Sequence, residues 1–97
     1  MRSRLSLFVE LPDSKGTRIW FTKWIDLPFT PFPQLSINMG GDTAEYYWPV
    51  VIEKVEFHRS DGGWFGLDLE TVRDDHPREE VIKSYQHEGW ELIEEWI

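Results

Sequence analysis

Ninety-seven residues with 40% hydrophobic and 15% aromatic content suffice for one core and hardly for two, so residues 1–97 are expected to form a single domain. No cysteine is present, which excludes disulfides, thiolate metal sites and thiol nucleophiles together. The formal charge of −8 comes from residues 51–97, where thirteen acidic side chains face five basic ones, while residues 1–50 balance at five of each. A basic nucleic-acid footprint is missing, and no direct nucleic-acid partner is expected.

The basic and apolar start of the chain is interrupted by Ser6 and Glu10 and stops at Pro12, too short and polar for a secretion signal. Nothing approaches the roughly 20 apolar residues of a membrane span. These features fit a soluble, cytoplasmic chain with no membrane partner.

Residues 4–11 alternate, with Leu5, Leu7, Val9 and Leu11 opposite Arg4, Ser6, Phe8 and Glu10. Period two over that length predicts a half-buried strand. Turn residues 12–17 lead to a second strand at 18–26, with Ile19, Phe21 and Ile25 on one side and Trp20, Thr22 and Trp24 on the other. Lys23 falls on the Ile19 side, against the pattern. Both sides of this strand carry large apolar groups, so both are expected to touch something.

Segment 27–33 interleaves Pro28, Pro31 and Pro33 with Phe29 and Phe32. Three prolines forbid a central strand, and a stiff connection is expected whose phenylalanines plug the core; the competing use is a polyproline ligand. Residues 35–39 alternate briefly as a third strand. The Gly40-Gly41 pair is followed by acidic rather than basic residues, so it reads as a turn and not as a phosphate cradle.

Two alternating runs, 50–59 and 64–72, flank Ser60-Asp61-Gly62-Gly63 and predict a hairpin. Val50-Val51-Ile52 breaks the alternation, which suggests a bulge near Glu53 or a strand end buried on both sides. A helix is expected over 76–88, entered through Asp75 or His76 and Pro77 and stopped at Gly89, with Val81, Ile82 and Tyr85 as its apolar stripe. Beyond Gly89 the spacing of Leu92, Ile93, Trp96 and Ile97 also permits one longer helix, against a final strand from Trp90.

The run Glu88-Gly89-Trp90-Glu91-Leu92-Ile93 after an amphipathic helix resembles the closing signature of a family of small bacterial domains of unknown function. Ile93 stands where those domains usually carry valine. The resemblance implies that the tail returns to the sheet as a strand, and it implies no mechanism. The expected fold is therefore α+β: a mostly antiparallel sheet of about five or six strands, with one C-terminal helix packed on one face.

Candidate chemistry is sparse. His58, His76 and His87 show no paired ligand spacing, so a metal site built from His58, His76 and Asp74 or Asp75 needs tertiary proximity. Acid–base chemistry by His58, Asp68 and Glu70 across the hairpin competes with simple cross-strand charge pairing. No serine sits in a nucleophile elbow. Six tryptophans exceed what so small a core can hide, and indoles are favoured at interfaces.

The leading expectation is a non-enzymatic interaction or self-association module, with a second copy or another protein as partner and Trp20, Trp24 and Trp96 at the interface. No catalytic residue, metal ligand or cofactor is assigned. The alternatives are a small-ligand or metal-binding enzyme using His58 and His76, and an acidic protein that docks a basic partner or imitates DNA.

Overall fold

A computed structural model describes residues 1–39 and 48–96. The fold is α+β, with seven strands and one helix among the described residues: β1 (Arg2–Glu10), β2 (Arg18–Asp26), β3 (Ser36–Asn38), β4 (Pro49–His58), β5 (Trp64–Leu69), β6 (Val72–Arg73), α1 (Arg78–His87) and β7 (Glu91–Trp96). The sheet runs β3-β4-β5-β1-β2-β7, with β6 also paired to β1. Pairing is antiparallel except where β1 meets β5 and β6 in parallel. The strand count exceeds the expected five or six because the run expected as one strand over 64–72 is divided into β5 and the two-residue β6, while β3 falls within the expected 35–39. The helix is not the last element either: β7 follows it. None of the described helices is long and apolar enough to cross a membrane.

The β1–β2 ladder is the backbone of the sheet. It pairs Arg2 with Asp26 through to Glu10 with Arg18, without a register shift. Successive side chains therefore separate cleanly to two faces. Leu5, Leu7 and Val9 of β1 and Ile19 and Phe21 of β2 are fully buried on what we term the core face. Leu67 and Leu69 of β5 and Val50 and Ile52 of β4 extend it, with the register slipping between Ile52 and Lys54. The anticipated irregularity near Glu53 is thus a bulge.

Segment 27–33 corrects its expectation. Phe29 and Phe32 are exposed, at 42% and 52%, while Leu27 and Pro31 turn inward. Aromatic bulk next to proline proved a poor guide to which residue faces the core. The turn expected at Gly40-Gly41 lies outside the described residues.

The helix begins one residue after Pro77, whose own backbone is extended (φ −58°, ψ 148°), and no side chain caps it. Neither Asp75 nor His76 serves as the cap. Glu79 and Glu80 occupy the first turn, the favoured place for negative charge at a helix start. Gly89 ends the helix with φ +92°, a conformation that costs a side-chain-bearing residue dearly. The chain then enters β7 as a strand, which settles the choice against a longer helix. Val81 and Tyr85 are buried, and the Tyr85 ring lies 4.7 Å from that of Phe21 and nearly parallel to it. Burial pushes the Tyr85 phenol well above its ordinary pKa.

Of the polar residues on the core face, Ser3 donates its hydroxyl to the Met1 carbonyl, and Lys23 and Glu95 are explained by α1. Lys23 sends its Nζ to the Glu88 carbonyl at 2.7 Å, where the helix presents its negative end. Glu95 of β7 receives both Nε and Nη2 of Arg78, the latter at 2.8 Å, and this pairing holds the Glu95 carboxyl below the usual range.

Replacing Phe21 by Ala removes a fully buried ring and the partner of Tyr85. We expect a loss of about 3–5 kcal/mol in urea unfolding. A loss under about 1 kcal/mol would contradict the placement of Phe21 at the centre of the core.

Candidate functional site

The other side of the β1–β2 ladder, the outer face, carries Arg2, Arg4, Ser6, Phe8 and Glu10 against Asp26, Trp24, Thr22, Trp20 and Arg18. Trp96 and Glu94 of β7 join it beside Arg18 and Trp20. All three tryptophans singled out in the sequence thus share one face. The contacts of α1 to sheet side chains, Tyr85 with Phe21 and Arg78 with Glu95, belong to the core face.

The outer face holds two aromatic clusters. Phe8, Trp20 and Trp96 form a closed triad, with ring centroids 5.9, 5.9 and 6.4 Å apart and near-parallel planes. Because the three separations are nearly equal, each ring touches both others. Arg18 lies over Phe8 at 5.1 Å. Trp24 and Trp64 form the second cluster, meeting edge to face at 5.2 Å. His58 stacks on Trp64 at 4.0 Å, and Arg2 sits 4.6 Å over Trp24. Between the clusters lies the small pair Ser6 and Thr22. Trp24 and Trp96 remain 45% and 40% exposed.

The Trp20 indole Nε1 and the Arg4 Nε are shielded from solvent and have no hydrogen-bond partner among the described residues. An unpaired buried donor costs about 1–3 kcal/mol. Large exposed indoles beside shielded, unpaired donors are the opposite of what monomer stability alone would select.

The remaining candidates are dispersed. His58 sits beside Trp64 near the Arg2 end of β1, with its Nε2 3.5 Å from Glu56. Asp68 faces Lys54 across the hairpin rather than His58, and Glu70 lies beyond β5. His76 lies at the opposite end of β1, just past Asp74, whose amide donates to the Glu10 carbonyl at 3.1 Å. Eight residues of strand, ~26 Å, thus separate the two imidazoles. His87 closes α1. Among the described residues no three His, Asp or Glu side chains converge as a metal site would require.

Two depressions accompany these groups. One of about 300 Å³ lies between Trp48, Tyr85, Val72 and Asp74 on the core side. The other, about 260 Å³, is bordered by Leu11, Asp13, Asp75, His76 and Arg78. Asp13 is occupied in its own turn, accepting from the Thr17 hydroxyl at 2.5 Å and from the Thr17 and Lys15 amides at 3.0 and 3.1 Å. These bonds hold its pKa below the ordinary value. His76 donates its amide to Asp74 Oδ1 at 2.9 Å and brings Nδ1 within 2.7 Å of the same oxygen.

Sequence reasoning singled out Trp20, Trp24 and Trp96 but not Phe8, Trp64 and His58, whose rings complete the two clusters. For Phe8 the signal was present, since it alternates with the core leucines of β1. For Trp64 and His58 it was not, because the parallel β1–β5 pairing that brings them close leaves no local period.

No protein-family model, curated protein or solved structure matches the chain.

The Asp74 carboxylate beside His76 raises the imidazole pKa above its ordinary 6.5, through the hydrogen bond first and the charge second. The charged imidazolium is favoured in the folded state. Its contribution to stability is therefore complete below the unfolded pKa and lost as pH rises through the higher folded value. Imidazole proton shifts should show His76 titrating above 6.5, and Asp74→Asn should bring it back. A His76 midpoint indifferent to that substitution would contradict the pairing.

Proposed function

We propose that this chain is a non-enzymatic interaction module of the cytoplasm that docks a protein on its outer sheet face, with Trp20, Trp24 and Trp96 in the contact. A single observation carries this reading. Val81 and Tyr85 of α1 are buried, Tyr85 against Phe21 of the core face, while the opposite face presents two aromatic clusters with exposed indoles and, among the described residues, no helix against them. Isolated surface apolar residues are ordinary in monomers, but contiguous aromatic patches rimmed by polar groups mark interaction sites. Arginines beside indoles are the composition favoured at the centre of protein interfaces.

The face also suits a protein better than a flat sugar or base. Trp20 is in contact with both other rings of its triad, and Trp64 with His58 and Trp24, so much of the ring surface is already taken. The edge strand β7 is a poor alternative site, since Glu91, Glu94 and Glu95 line it and charge protects an edge from strand addition.

A photo-crosslinking residue placed at Trp24 or Trp96 in living cells should yield a covalent adduct with a protein. The same residue at Glu79, on the exposed side of α1, should yield none. Absence of adducts from both outer-face positions, or equal yield at Glu79, would overturn the docking assignment.

A further inference from the structure

We infer that the occupant of the outer face is a second copy of this chain, seated by a two-fold axis that crosses the strands at Ser6 and Thr22. This rests on the outer face being a docking surface, and it names the partner and the register.

The β1–β2 ladder reads the same under a half-turn, with charge signs reversed. At one end of the outer face stand Arg2 and Asp26, and at the other Glu10 and Arg18. An axis lying in the interface and crossing both strands at the Ser6–Thr22 pair lays β1 on β1 and β2 on β2 in opposite directions. Arg2 of one copy then faces Glu10 of the other, and Asp26 faces Arg18. One step inward, Arg4 faces the ring of Phe8, and Trp24 faces Trp20. The small pair Ser6 and Thr22 lies at the axis, Thr22 already covered within its own copy and Ser6 half-buried, so no bulky side chain of either residue stands between the sheets. An isologous interface requires this kind of self-complementarity, in which each residue meets its counterpart's partner.

Electrostatics permits the pairing despite the formal −8 of the chain. The outer rows of β1, β2, β4, β5 and β7 set Arg2, Arg4, Arg18 and Lys54 against Glu10, Asp26, Glu56, Asp68, Glu91 and Glu94. These rows thus carry four basic side chains against six acidic ones, far nearer to balance than the chain as a whole. Two nine-residue strands ~30 Å long and the flanking six-residue β5 and β7 ~20 Å long, ~4.8 Å apart, give a footprint of roughly 500 Å² per copy, so a pair of about 1,000 Å² has the size of a weak, reversible interface. Aligned packing of two sheets at ~10 Å leaves room for one indole layer from each.

The test uses Arg18→Asp and Asp26→Arg, two exposed substitutions at opposite ends of β2. Light scattering should give a dimer for the wild-type protein at on the order of 50 µM. Each variant alone places like charges across the axis at both ends and should dissociate at least about tenfold more readily. An equimolar mixture restores opposite charges at both ends and should recover the dimer as a heterodimer. Arg2→Asp with Glu10→Arg repeats the experiment on β1, so the outcome does not hang on one pair.

A monomeric wild type overturns the second-copy inference, and a crosslink from Trp24 to a different protein would leave the docking surface itself standing. A dimer unaffected by the single variants, or not recovered by mixing, overturns the register.

Discussion

Nine consecutive antiparallel pairs between β1 and β2 determine the molecule's character. An unbroken ladder cannot send two neighbours to one face, so the sequence alternation of each strand becomes a difference between two surfaces. Leu5, Leu7, Val9, Ile19 and Phe21 lose all contact with water on one side. Phe8, Trp20 and Trp24 are committed to the other by the same constraint. A one-residue slip would exchange the two sets and bury Arg4 and Glu10. The outer aromatic face is thus a consequence of the register that makes the core, and neither can be altered alone.

The two faces are finished differently. Helix α1 brings Val81 and Tyr85 to the core face, and its ends are fastened by Arg78 to Glu95 and by the Glu88 carbonyl to Lys23. No comparable set of partners meets the outer face among the described residues, where the only finishing is aromatic contact and the arginines over Trp24 and Phe8. The unpaired donors of Trp20 and Arg4 remain as a local cost. Acidic residues along β7 meanwhile discourage association through the sheet edge. On the proposed reading, the outer face is then the surface left for association.

Local periodicity revealed the long elements. The alternation of 4–11 and 18–26, the loop at 60–63 and the glycine stop at Gly89 each reflect chemistry within a few residues, and β1, β2, the β4–β5 hairpin and the end of α1 follow them. The final strand β7 agrees with what the Glu88 to Ile93 run implied. What the sequence concealed depends on distant partners. The parallel pairing of β1 with β5 sets Trp64 across from Trp24, and nothing near either residue announces it. Lys23 looked like an error of pattern until a helix C-terminus arrived to use it. Phe29 and Phe32 carried the larger apolar groups of their segment, yet the backbone directed by its prolines turned Leu27 and Pro31 inward instead.

The central claim is that the outer face is a covered surface in the working protein, and residue-level footprinting reads that directly. Carbene labelling in dilute solution should modify Trp24 and Trp96 in keeping with their exposure, alongside Phe57 on the core side at 56%. Raising the concentration should protect Trp24 and Trp96 while leaving Phe57 unchanged. Labelling of both indoles that stays constant relative to Phe57, at high concentration and in cell extract alike, would contradict the account.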